Sequence, residues 1–151
     1  MAEQFAEADA TWCVDSHGNE FNCVNFACRL RDWAWLGHVI ANRGVGLSGK
    51  RVVSEAWIDE ISSWGPLDSQ VTLGQSEGDA LEELSELADV GYKCFMWHLR
   101  SDGSLIMFNG AYGQRVIVHL PTKTVLVQTA VTDVADWLPE LTAMIEAAAA
   151  I

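Results

Sequence analysis

The stretch from Gly91 to Gln128 constrains the fold most, because it is a series of short apolar runs separated by turn-forming residues. Apolar and polar residues alternate around Asp102-Gly103, a dipeptide that is a strong short-range signal for a β-hairpin. Further on, "FNGAYGQRVIVHLPTKTVLVQ" is predicted to form a strand end, a glycine turn, and two more strands joined at Pro121. The sequence therefore predicts an antiparallel sheet of about three or four strands that runs to about Val131.

Three other stretches have the three- and four-residue spacing of apolar residues that is typical of amphipathic helices. "LRDWAWLGHVIANRG" ends at Gly44, where a left-handed cap is expected, and its apolar face comprises Trp33, Leu36, Val39 and Ile40. The second helix is expected after Ser54 as N-cap, with Trp57, Ile58 and Ile61 on one face. The third has Pro139 in its first turn after an expected Asp136 cap, and its apolar face comprises Leu138, Leu141, Ile145 and Ala148.

These elements predict a globular fold of the α+β class, an antiparallel sheet with a C-terminal helix packed on it. The two earlier helices are expected to form an incomplete second lobe. Residues Gly65 to Asp89 differ from the rest, because they begin with turn formers and continue as the strongly acidic helical pattern "SEGDALEELSELADV". We interpret residues 65–89 as an acidic surface insertion.

Charge and cysteine usage argue against several classes of function. The chain has 21 acidic and 9 basic residues and a net charge of -12, which repels phosphate backbones and anionic membrane surfaces. Neither nucleic acid nor a membrane is therefore an expected partner. The four cysteines have no zinc-ribbon spacing, so no metal or other cofactor is expected, and no signal peptide or membrane span is visible. This pattern slightly favours a cytoplasmic location.

Three segments in sequence order resemble one family. "FACRLRDWAWLGHVIANRG" is similar to a family helix that opens in Ala-Arg-Asp and closes in a glycine, and "LSGKRVVSEAWIDEI" is similar to the segment after it. "GYKCFMWHL" and "GAYGQRVIVHLPTKTVLV" resemble the family's Gly-Tyr-x-x-x-Trp strand, its Gly-x-x-Gly-Gln turn and its final two strands. The family is the β-lactamase-related serine hydrolases, which include class C β-lactamases, penicillin-binding DD-peptidases, esterases and 6-aminohexanoate-dimer hydrolases. Only the C-terminal part of a longer family chain is matched, so residues 1–151 are expected to form a single partial β-lactamase/transpeptidase-like domain.

The resemblance implies amide or ester hydrolysis through an acyl-serine, but the motifs for this chemistry are missing. The family uses a serine in Ser-x-x-Lys, a tyrosine in Tyr-x-Asn, and a Lys/His-Thr/Ser-Gly strand beside the oxyanion hole. Neither Ser-x-x-Lys nor Tyr-x-Asn occurs in the 151 residues. Phe108-Asn109-Gly110 retains only the glycine of the third motif, and Lys123-Thr124 matches the turn between the last two strands. We therefore assign no catalytic residue.

The glycine turn after Phe108 is the best remaining candidate for a functional site. The family uses this turn to line the substrate cleft, so the resemblance implies a cleft or oxyanion-hole role for Asn109, Gly110, Ala111, Tyr112, Gly113 and Gln114. The alternative interpretation is that the glycines make only a tight strand connection with Tyr112 packed over it. Asp15 and His17, a second pair with catalytic residue types, are interpreted as turn residues.

With its catalytic motifs missing, the chain is expected to be a truncated or degenerate β-lactamase-related serine hydrolase that is inactive alone. Three alternatives stay open. The chain is the C-terminal half of an active hydrolase whose remainder lies on another polypeptide, an omitted exon or an upstream reading frame. Otherwise it is a non-catalytic binding or assembly module, or a folding relic without a role. The expected partner is an N-terminal half, or a second copy, at the strand edge from Thr124 to Val131, because an unpaired strand offers free N–H and C=O groups.

Overall fold

A five-stranded antiparallel sheet lies at the centre of the computed structural model, which describes residues 6–21, 25–63, 91–131 and 137–150. Its strands, in both chain order and spatial order, are β3 (Gly91–Lys93), β4 (Met96–His98), β5 (Leu105–Gly110), β6 (Gln114–His119) and β7 (Thr124–Gln128). A separate two-stranded ribbon pairs β1 (Thr11–Trp12) with β2 (Phe26–Ala27). Each strand of the large sheet pairs with its neighbour in the chain, as expected for a series of hairpins.

Three helices occur in the described part of the chain: α1 (Leu30–Ala41), α2 (Glu55–Ser62) and α3 (Trp137–Ala149). All three helix predictions are confirmed. Gly44 follows α1 with φ of 87° and donates its N–H to Val39 O at 2.7 Å, a left-handed cap that glycine forms without steric cost. The Ser54 hydroxyl accepts the Trp57 N–H at 3.2 Å and caps α2. None of the helices described is long and apolar enough to cross a bilayer.

The sheet separates two apolar cores, because side chains alternate between its two faces along β5 and β6. One face packs against α3, with Leu105, Met107, Ile117, Leu141, Ile145 and Ala148. The other face packs against α1 and α2, with Ile106, Val116, Val118, Ile40, Ala41, Ile58 and Ile61. Each of these residues is at most 5% exposed. The predicted α+β class and the packing of the C-terminal helix on the sheet are confirmed.

The placement of the earlier helices was predicted wrongly. They form no second lobe but a layer directly on the sheet, so the described chain has helices on both faces. The predicted strand end at Val131 also differs, because β7 ends at Gln128. The expected Asp136 cap and the acidic segment 65–89 lie outside the described residues.

The sheet has more strands than predicted because "GYKCFMWHL" folds back on itself. Cys94 and Phe95 have φ of 49° and 65°, and Lys93 pairs with Met96 across them. Two-residue turns with positive φ at both positions normally use Asn, Asp or Gly. Cys-Phe has no such signal, so the hairpin could not be predicted from its sequence.

Helix α1 approaches β6 and β7 closely at Gly37. A Cβ placed on Gly37 would lie 2.4 Å from Val125 Cγ1 and 3.2 Å from Val116 Cγ1. Carbon atoms in good contact are about 3.5–4.0 Å apart, so any side chain here would have to displace α1 or Val125. The absence of a side chain at Gly37 therefore sets the distance between α1 and the sheet, although glycine is unfavourable inside a helix.

Gly37→Ala should lower the free energy of unfolding by about 1–3 kcal/mol, because overpacking outweighs the gain in helix propensity. Val125→Ala removes the methyl groups that the new Cβ would meet. The double substitution should therefore cost less than the sum of the two single ones. Urea unfolding of the wild type, both single variants and the double variant measures this coupling, and strict additivity would contradict the contact between Gly37 and Val125.

Candidate functional site

The candidate turn lies at the end of the sheet where β5 leads into β6. β5 ends at Gly110, Ala111–Gly113 form a tight turn, and β6 begins at Gln114. The paired residues Gly110 and Gln114 close a ladder that continues along both strands. All six predicted site residues therefore lie together on one hairpin, and the β5–β6 pairing supports them.

Two consecutive residues of the turn have left-handed backbone conformations. Tyr112 has φ of 61° and ψ of 22°, and Gly113 has φ of 87°. A residue with a Cβ pays roughly 1 kcal/mol or more for this conformation, which glycine adopts freely. The Tyr112 side chain is 65% exposed, so it is not packed over the turn. An exposed aromatic ring at a strained position favours a functional reason for the tyrosine.

The other site residues differ in their availability to a ligand. Asn109, Gly110 and Ala111 are exposed, whereas Gly113 is buried. The Gln114 side-chain amide donates a hydrogen bond to Ala130 O and so ties the turn to the chain that follows β7. The surface open to a ligand is therefore the run from Asn109 to Tyr112.

A buried cation lies beside the turn on β6. Arg115 is 2% exposed and is the ladder partner of Asn109. Its Nη1 donates to Gln128 Oε1 at 3.0 Å and lies 3.6 Å from Glu140 Oε2. Gln128 Nε2 in turn donates to Glu140 Oε2 at 2.8 Å. These contacts join β6, β7 and α3 at the end of the sheet that presents the turn.

Arg115 was missed by the sequence analysis, since one arginine at a strand start carries no signal of burial. Desolvation lowers the pKa of Arg115, and the negative charge of Glu140 opposes this change. The guanidinium nevertheless remains protonated, because an arginine side chain does not lose its proton in a protein. It is therefore a fixed cation beside the turn and cannot act as a general base.

Asp15 and His17 do not form a catalytic pair in the described loop. Asp15 Oδ1 accepts the N–H groups of His17 at 2.8 Å and Asn19 at 2.9 Å, and Oδ2 accepts Asn19 Nδ2 at 3.0 Å. The hydrogen bond from the Asn19 side chain has the largest effect and lowers the pKa of Asp15. These backbone hydrogen bonds lower the pKa further. The carboxylate thus holds the turn together, and the interpretation of both residues as turn residues is confirmed.

Cys28 does not have the properties of an activated thiol nucleophile. Burial raises the pKa of Cys28, and the nearby negative charge of Asp32 raises it further. A thiol with a raised pKa is a poor nucleophile. No group of three or more His, Cys, Asp or Glu side chains in the described ranges could hold a metal ion.

No protein-family model matches the chain. A curated protein, the 6-aminohexanoate-dimer hydrolase of Paenarthrobacter ureafaciens, is 26% identical over 123 residues, which cover 82% of this chain and 29% of that protein. A solved structure from Bacillus anthracis, assigned as a 6-aminohexanoate-dimer hydrolase, matches with a TM-score of 0.59 and 16% sequence identity. This match covers 91% of this chain and 34% of the other chain.

This chain therefore spans about a third of the length of the proteins that it matches. The structural match supports the fold, and the curated relative supports the family that the sequence segments resemble. The curated relative confirms that resemblance: the chain is similar to the C-terminal part of β-lactamase-related hydrolases, and the solved structure shows that the fold is shared.

Proposed function

We propose that this chain is a truncated or degenerate serine hydrolase of the 6-aminohexanoate-dimer hydrolase type, and that it is inactive alone. The observation that supports this best is an intact β5–β6 hairpin with an exposed turn, in a sequence with neither Ser-x-x-Lys nor Tyr-x-Asn. The acyl-serine route needs a nucleophile and a base to activate it. We further propose that residues 1–151 form one partial domain in which residues 65–89 are an acidic insertion.

In the proposed site, the turn forms one side of a substrate cleft and offers a backbone N–H near Ala111 or Tyr112 to an oxyanion. Pre-positioned N–H donors stabilise a developing oxyanion because they need no reorganisation during the reaction. The exposure of Ala111 and Tyr112 supports this role. The cleft residues are Asn109, Gly110, Ala111, Tyr112, Gly113 and Gln114.

We also propose that β7 accepts a further strand from an N-terminal half of such a hydrolase, or from a second copy of this chain. Among the described residues β7 pairs with β6 alone, while α1 and α3 both contact it. Its sequence, Thr-Val-Leu-Val-Gln, has none of the charges or prolines that protect natural edge strands. β7 thus has the properties of an interior strand.

An assembly experiment with the N-terminal part of a related hydrolase distinguishes a split hydrolase from a degenerate one. The part of the Paenarthrobacter ureafaciens hydrolase outside the matched stretch can be co-expressed with this chain and the complex assayed with p-nitrophenyl esters. Ester hydrolysis by the complex would indicate a split enzyme, and assembly without hydrolysis a degenerate one. A folded chain that does not assemble would favour a separate binding module.

The purified chain should hydrolyse chromogenic cephalosporins, p-nitrophenyl esters and linear amide dimers no faster than buffer, because it has no activated serine. Mass spectrometry after incubation with a fluorophosphonate or a β-lactam should find every serine unmodified. An active β-lactamase-related hydrolase treated in parallel is the positive control. Stoichiometric labelling of one serine in this chain would overturn the proposal.

Tyr112→Gly should change the free energy of unfolding by less than about 0.5 kcal/mol, because relief of the left-handed strain offsets the entropy that glycine adds to the unfolded chain. Gly113→Ala, at a buried left-handed position, is the matched control and should destabilise by about 1 kcal/mol or more. Chemical denaturation measures both. A loss above about 2 kcal/mol for Tyr112→Gly would show that the ring packs structurally.

A further inference from the structure

An exposed aromatic surface lies where the β1–β2 ribbon meets the start of α1. We call it the aromatic face and define it by Trp12, Phe26 and Leu30, which are 45%, 37% and 52% exposed. The Phe26 ring contacts Trp33 of α1 edge-on with centroids 5.3 Å apart, and Leu30 precedes Trp33 by one helical step of three residues. The aromatic face is therefore connected to the core through Trp33, which packs against the α1 side of the sheet.

The two rings of the aromatic face are fixed relative to each other and to the ribbon that presents them. Trp12 and Phe26 meet edge to face with centroids 5.1 Å apart. The Trp12 indole Nε1 donates a hydrogen bond to Phe21 O at 2.6 Å. Fixed aromatic side chains lose little conformational entropy on binding and are enriched among the residues that dominate interface energies.

The ribbon that presents these rings has little to stabilise it in water. β1 and β2 contain two residues each, and all four are exposed. A two-stranded ribbon alone is marginally stable at best. Apolar side chains that are exposed together on such a ribbon mark a surface that another polypeptide can cover and stabilise.

We propose that the aromatic face docks onto the nucleophile-bearing part of a β-lactamase-related hydrolase, an inference that rests on the proposed function. The matches cover only 29% and 34% of the relatives, so about two thirds of each relative is polypeptide without a counterpart in this chain. A second copy fits the aromatic face less well, because each copy carries a net charge of -12 and the two would repel. We expect the partner to present apolar side chains to Trp12, Phe26 and Leu30.

The test is capture of a partner by the tagged 151-residue chain. The partner is the part of the Paenarthrobacter ureafaciens hydrolase that the sequence match leaves uncovered, co-expressed with the chain. Trp12→Ser removes a ring of the aromatic face. Leu30→Glu places a charge there and keeps α1 intact, since an acidic residue in the first turn favours a helix. Both substitutions should reduce the amount of captured partner at least about tenfold.

Trp57→Ser and Phe95→Ser are the matched controls, because they remove aromatic side chains that are 49% and 72% exposed elsewhere on the chain. They should change capture by less than about twofold. Circular dichroism checks that each variant keeps its fold. If the controls reduce capture as much as the test variants, or if no variant reduces it, the aromatic face is not the docking surface, although the proposed function stands.

Failure of the wild-type chain to capture the partner, while the relative's own C-terminal part does so, would remove the proposed function as well. If neither is captured, the variants are compared in a single chain that joins the relative's N-terminal part to this one. Trp12→Ser and Leu30→Glu should then lower its melting temperature by about 2 °C or more, and the controls should not. Equal melting temperatures for all variants would overturn the inference.

Discussion

Burial of both faces of the β5–β6 hairpin is the constraint on which the rest of the structure depends. Leu105, Ile106 and Ile117 are all fully buried, yet alternate residues point to opposite faces. Each face therefore needs its own cover, which α3 provides on one side and α1 with α2 on the other. Close approaches at glycines make this layering compact. A Cβ on Gly37 would meet Val125, and one on Gly103 would lie 2.1 Å from Ser62 O at the end of α2.

The parts of the fold that could be predicted are those with local signals. Ser54 and Gly44 mark helix ends through hydrogen bonds within a few residues, and Asp102-Gly103 marks a turn, so these boundaries are encoded nearby in the sequence. The Cys94-Phe95 turn has no such local sequence signal, because neither residue favours positive φ. The layer formed by α1 and α2 was also missed. Its signal was the continuous apolar run of Leu105 to Phe108, which indicates a strand buried on both faces.

In the candidate site, too, features encoded by neighbouring residues could be predicted, and contacts between distant residues could not. The turn from Gly110 to Gln114 could be identified because its glycines and its resemblance to a family motif lie in one short stretch. The contacts of Arg115 could not be identified from the sequence, because Gln128 and Glu140 approach it only after β7 and α3 have packed. The strand ladder joins β5 to β6 at the turn, and the contacts of Arg115 join β6 to β7 and α3. A hydrolase-type fold and the proposed loss of hydrolysis are physically compatible, because fold and chemistry depend on different residues.

Hydrogen exchange of the β7 backbone amides tests most directly the claim that this chain is one part of a larger hydrolase fold. In the chain alone, the amides of β7 that point away from β6 should exchange much faster than those of β6, because no described strand pairs with them. Addition of the N-terminal part of a related hydrolase should protect them. Full protection of β7 in the chain alone, unchanged by that addition, would contradict the account.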